Sequence, residues 1–158
     1  AHNPSCNVMY RKNAFLEIGG FDEGLWPCED VDLDYRLKKK GFIFKYNPHA
    51  VVCHYRPSSL KALSKMMGRY GIMQGILTRR YGFFRRIQFV PFAFVVFVAL
   101  VFWNHLWATL LLMPCLFLMI KTKSFLKGNI IVALGIVSFF TWMGGFVVGL
   151  AHKQKKSF

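Results

Sequence analysis

Between Ile87 and Leu150 the chain runs for sixty-four positions with only three charged residues, Lys121, Lys123 and Lys127. About 20 apolar residues in a helix cross the ~30 Å core of a bilayer, and there the backbone polar groups have to be satisfied within the segment. The sequence therefore predicts membrane-spanning helices. Phe89 to Ile120 is thirty-two residues, about 48 Å as one helix at ~1.5 Å per residue, which is too long for a single crossing. Trp103-Asn104-His105 sits near its middle and reads as a hairpin turn. Spans are expected at about 88–103, 106–120 and 129–150, with two spans as the alternative. Lysine placement does not choose between them, because Lys121, Lys123 and Lys127 on one side face Lys153, Lys155 and Lys156 beyond the last span.

Residues 1–86 are different in kind: mixed, polar and basic. The first apolar run begins only near residue 87, so nothing upstream reads as a signal peptide. The chain carries a formal charge of +14, yet all seven acidic residues lie between Glu17 and Asp34, and nineteen Lys and Arg follow Asp34. Six of the seven acids fall within Gly19–Arg36. Carboxylates gathered beside a Gly-Gly turn in so basic a chain suit the handling of a proton, a metal or a sugar hydroxyl. A charge of +14 would also suit nucleic acid, but an attached membrane segment argues against that partner. Cys6, Cys28, Cys53 and Cys115 show no C-x-x-C spacing, so neither a zinc site nor a disulfide framework is read.

The spacing predicts a short helix over Asn13–Ile18 stopped by Gly19-Gly20, a loop over Phe21–Pro27, and a second helix over Glu29–Lys40 stopped by Gly41. The second helix has its acids first and its bases last, matching the helix dipole. Phe42–Tyr46 and Ala50–His54 read as two short strands about an Asn47-Pro48 turn. A third helix over about Ser59–Leu77, capped by Ser58, carries Leu60, Leu63, Met67 and Tyr70 on one stripe and Lys61, Lys65 and Arg69 on another. With Arg79, Arg80, Arg85 and Arg86 just before the apolar run, this reads as an interfacial helix on an anionic membrane surface.

Glu29-Asp30 at a helix start is suited to a general base, since the positive helix end and its free N–H groups orient a carboxylate. Asp32 with Arg36 and Asp34 with Lys38 are i,i+4 pairs and read as salt-bridged surface residues. Gly-Gly-Phe-Asp-Glu, a short loop, then Glu-Asp-x-Asp-Leu-x-x-Arg-Leu-x-x-x-Gly resembles the acceptor half of the inverting GT-A-fold glycosyltransferases (family 2-like) over roughly residues 5–86.

The resemblance implies an α/β fold, the acceptor-side half of a Rossmann-like GT-A domain, followed by the interfacial helix and the spans. It implies Asp30 as the base that deprotonates an acceptor hydroxyl, with Asp22, Glu29, Trp26 and Tyr70 binding the acceptor. Arg69 would face the leaving diphosphate, since Met66-Met67-Gly68-Arg69-Tyr70 stands where processive members carry Gln-x-x-Arg-Trp. Met66 in place of Gln departs from that pattern and weakens an assignment to polymer synthesis. His54 stands where relatives approach a metal–diphosphate, and imidazole suits a Mn-type ion. Mg²⁺ or Mn²⁺ is the implied cofactor, its main ligands expected from a nucleotide-binding half with an Asp-x-Asp motif that residues 1–18 do not supply.

The expected organisation is the C-terminal part of the catalytic domain over 1–57, interfacial helix and basic linker over 58–86, spans over 87–150, and a basic tail over 151–158. The expected function is an inner-membrane transferase with its catalytic part on the cytoplasmic side. It would move a sugar from a nucleotide-sugar donor to a lipid-linked or polysaccharide acceptor of the cell envelope, with membrane lipids as further partners and no assignment of oligomeric state. Opening on Ala1 in sequence of mid-domain character, the chain is expected to be a C-terminal fragment, inactive alone. The rivals are a non-catalytic membrane scaffold or partner subunit and, last, a transporter component.

Overall fold

The computed structural model describes residues 4–55 and 57–152, and the chain divides after Ser58 into two compact units. In the first unit, α1 (Lys12–Glu17) and α2 (Glu29–Lys39) are joined by a loop holding a short 3-10 turn, Glu23–Leu25; another such turn, Ser5–Asn7, precedes them. Both helices end in the same way. Gly19, with φ +80°, follows α1, where Gly19 N–H bonds Leu16 O and Gly20 N–H bonds Phe15 O; Gly41, with φ +89°, follows α2, where Gly41 N–H bonds Lys38 O and Phe42 N–H bonds Leu37 O. This pair of hydrogen bonds around a left-handed residue closes each helix, and glycine adopts that conformation without the strain a side chain brings.

Ala14 of α1 meets Leu33 and Leu37 of α2 to form a small core, with Tyr10, Phe15, Ile18, Phe42 and Phe44 packed on it. The rings of Tyr10, Phe15 and Phe21 lie 5.2–6.2 Å apart, two of the three pairs edge-on. The α/β, Rossmann-like GT-A half expected above does not form: no residue among those described is in a β-strand. The two strand candidates, 42–46 and 50–54, flank the expected turn, with Ala50 N–H bonded to Asn47 O. They remain irregular backbone outside any ladder, with Ile43 86% and Tyr46 90% exposed. β-Propensity becomes a strand only against a neighbour, and two short segments without further strands make no stable sheet.

The second unit is helical: α3 (Leu60–Tyr81), a 3-10 turn Arg86–Phe89, α4 (Val90–Trp103), a 3-10 stretch His105–Leu111, α5 (Leu112–Thr122) and α6 (Phe125–Ala151). Ser59, one residue later than expected, caps α3 by accepting the Ala62 N–H at 3.2 Å. That helix runs a turn beyond the predicted end, to Gly82. Pro91 sits in the first turn of α4, where its missing N–H costs nothing. Among the described residues two helices are long and apolar enough to cross a membrane, Arg86–Trp103 and Phe125–Ala151. The intervening segment, expected to span at 106–120, is the 3-10 stretch and the 11-residue α5, about 16 Å of helix at ~1.5 Å per residue.

Helices α3 and α6 run parallel in close contact. Successive contacts pair Gly68 with Gly145, Gly71 with Trp142 and Phe146, and Gly75 with Phe146 and Gly149. A Cβ on Gly71 would collide with the Trp142 carbonyl oxygen, on Gly75 with that of Phe146, on Gly145 with that of Gly68, and on Gly149 with that of Ile72. Small residues four apart on both helices let the backbones touch, the packing geometry of helices in membranes. Phe146, fully buried, stacks on Trp142 with centroids 5.3 Å apart. Arg79 extends the pairing by donating to Leu150 O and His152 O, the last carbonyls of α6.

Candidate active site

The acidic cluster is organised by α2. Cys28 is its N-cap residue, and Glu29, Asp30 and Asp32 occupy the first turn, where the helix dipole favours negative charge. Asp30 is 7% exposed. Its Oδ1 accepts the Val31 N–H at 2.8 Å, and its Oδ2 accepts the Ser5 N–H at 3.0 Å. Ser5 Oγ also reaches Glu29 Oε1, at 3.5 Å. The turn at Ser5–Asn7 thus closes over the pair and fixes both side chains, a role that no motif in the sequence signals.

The other oxygen of Glu29 is the odd one. Glu29 Oε2 is buried and has no hydrogen-bond partner among the described residues. A buried carboxylate oxygen left without a donor is costly, and a substrate hydroxyl is the kind of donor it lacks.

Asp32 and Asp34, read above as surface residues, both lie in the interior, 0% and 3% exposed. Asp32 pairs with Arg36 at 2.7 Å, as the spacing predicts. The same guanidinium donates to Ile18 O and Gly20 O at 2.5 and 2.6 Å, fastening α2 to the Gly-Gly turn. Asp34 turns inward to accept a bond from the Tyr10 hydroxyl at 3.1 Å. Burial, then the Asp34 charge and hydrogen bond, then the charges of Asp30 and Glu29 push the Tyr10 phenol well above its ordinary value. Sequence reasoning offered no signal for Tyr10, because its partner is twenty-four residues away.

Asp22 caps the 3-10 turn through Oδ1, which accepts the Gly24 N–H at 3.1 Å. Trp26, at the end of that turn, is 59% exposed. The loop is short, and it places these two residues within a few positions of Glu29-Asp30 along the chain. Cys28, between them, is buried.

His54 does not join this group; it is exposed, in the irregular segment after the Asn47 turn. Among the described residues no three His, Cys, Asp or Glu side chains converge as a metal site would require. The main ligands of the expected Mg²⁺ or Mn²⁺ are assigned to the nucleotide-binding half, not to these residues. Arg69 and Tyr70 lie in α3, in the second unit, Arg69 exposed and Tyr70 partly buried.

Comparison with known proteins agrees with the reading of the motif. Residues 5–148 match the family model described as glycosyl transferase family group 2. A pre-mycofactocin glycosyltransferase of Mycobacterium tuberculosis is 37% identical over 68 residues, covering 43% of this chain and 14% of that protein. An N-acetylglucosaminyl-diphospho-decaprenol L-rhamnosyltransferase of the same organism is 45% identical over 56 residues, 35% of this chain and 18% of that protein. The matched stretches thus span under a fifth of these relatives' length. No solved structure matches. The match over residues 5–148 covers most of the chain, which therefore belongs to glycosyl transferase family group 2.

Proposed function

We propose that this chain is the acceptor-side, membrane-embedded part of an inverting glycosyltransferase, with Asp30 as its base. The observation that carries the reading is the pair at the start of α2. One carboxylate is held by two backbone N–H groups, and beside it Glu29 Oε2 is buried without a donor. An acceptor sugar with two hydroxyls fits both: one donates to Glu29 Oε2, and the attacking one loses its proton to Asp30.

In this reaction the acceptor oxygen attacks the anomeric carbon of a nucleotide sugar while its proton passes to Asp30. The new C–O bond forms as the bond to the diphosphate breaks on the opposite face, which inverts the centre. Asp22 and the exposed ring of Trp26 orient the acceptor sugar, the ring by stacking on its apolar face. For Arg69 and Tyr70, in the second unit, the motif alone supports roles toward the diphosphate and the acceptor sugar. Mg²⁺ or Mn²⁺, held mainly by the nucleotide-binding half, would supply further positive charge to the diphosphate.

Two helices of spanning length and a relative named for a diphospho-decaprenol substrate support a bilayer location and a lipid-linked acceptor. The basic residues Arg79, Arg80, Arg85 and Arg86 support a cytoplasmic position for that end of the first span, because Lys and Arg gather on that side. The test is Asp30→Asn in the native protein. Transfer is expected to fall about 10²–10⁴-fold in kcat, the usual contribution of a positioned base, with acceptor KM little changed. Unchanged transfer would remove Asp30 from the chemistry and favour the scaffold reading.

A further inference from the structure

The turn between α3 and α4 combines three features: positive charge, exposed aromatic rings and a fixed backbone. Gly82, with φ +77°, ends α3. Gln88, fully buried, then gathers the turn: its Oε1 accepts the N–H groups of Phe84 and Arg85 at 2.9 and 3.0 Å, and its Nε2 donates to Gln74 Oε1 at 3.4 Å. Gln74 is itself buried on α3, so the turn is tied to the helix pair rather than hanging from it.

What the turn presents outward is amphipathic. Phe83 lies against Phe89 and Phe92, ring centroids 4.8 and 5.5 Å apart, and all three rings are about half exposed. Arg80 and Arg86 are exposed and Arg85 partly so, with the Arg80 guanidinium 5.9 Å from the Tyr81 ring. Arg79, by contrast, is taken up by the end of α6.

From residue 59 onward the chain contains no Asp or Glu. Exposed arginines beside exposed phenylalanines, at the first residue of an 18-residue apolar helix, match a bilayer boundary: rings among the upper acyl chains, guanidinium groups among phosphates. We propose that Arg80, Arg85 and Arg86, with Phe83, Phe89 and Phe92, form a binding surface for the headgroups of anionic phospholipids. The turn, rather than the Lys61 and Lys65 side of α3, is the part that selects lipid charge.

This inference rests on the membrane reading above, and one experiment separates the two. The chain is reconstituted in phosphatidylcholine bilayers, extracted with alkaline carbonate, and probed with spin-labelled phosphatidylglycerol and spin-labelled phosphatidylcholine. A basic side chain near an anionic surface contributes about 1 kcal/mol, or roughly five-fold in association. The wild type is expected to prefer phosphatidylglycerol about five-fold or more, less so at high salt. R80Q/R85Q/R86Q should bring the ratio near one, R80K/R85K/R86K should retain most of it, and K61Q/K65Q should leave it in place. Equal association of the two lipids with an embedded wild type would overturn the proposal and leave the membrane reading standing. So would a preference lost in K61Q/K65Q but kept in R80Q/R85Q/R86Q. Release of the chain by carbonate would overturn both.

Discussion

Asp32 is a fully buried carboxylate, and its ion pair with Arg36 also reaches two carbonyls of the Gly-Gly region. Removing one partner of such a pair strands the other, a loss of about 3–5 kcal/mol. Arg36→Met should therefore lower the unfolding free energy of the first unit by about that much in urea titration. Lys40→Ala, which removes an exposed pair with Glu17, should cost no more than about 1 kcal/mol. Tyr10 supplies a pH test. Its folded value is raised, so the folded state keeps a proton that the unfolded chain releases from about pH 10 upward. Its stabilisation is complete below that pH and is lost as pH rises through the window. Tyr10→Phe should flatten the alkaline decline in stability, read by urea unfolding at and above about pH 10. At this scale the sequence was legible for Asp32 with Arg36, where i,i+4 spacing is local. It was silent on Ser5 and Tyr10, whose partners come through the fold.

Among the elements, the helices were legible because their signals are local: glycine after α1 and α2, acids before bases in α2, serine before α3. The strands were not, since a strand depends on what lies beside it, and 42–46 and 50–54 have no ladder among the described residues. The α3–α6 contact was also missed, although Gly71 and Gly75, and Gly145 and Gly149, stand four apart in plain view. Reading α3 for its leucines drew attention to Leu60, which is 53% exposed, and away from its glycine face. That face makes a sharp prediction. Gly149→Ala sets a methyl against the Ile72 carbonyl and should cost about 1–3 kcal/mol, as overpacking does, seen as a lower melting temperature in detergent. Gly135→Ala and Gly144→Ala meet open space and should leave that temperature unchanged or slightly higher.

For the molecule as a whole, composition changes near residue 87, whereas the chain divides into two compact units after Ser58, so α3 falls in the same unit as the apolar helices. The motif singled out Glu29-Asp30; that Ser5 and the first turn of α2 hold them was not legible. The pairing of α3 with α6 carries a last consequence, one of timing. Gly71 meets Trp142, so α3 leaves the ribosome long before its partner exists. At about 5–20 residues per second, that interval is roughly 4–14 s. Throughout it, the glycine face of α3 is bare backbone surface with nothing to lie against, beside a newly made apolar helix. The second unit is thus completed late and all at once, when α6 arrives. Until then the nascent chain depends on the machinery around it to keep that face from the wrong neighbour.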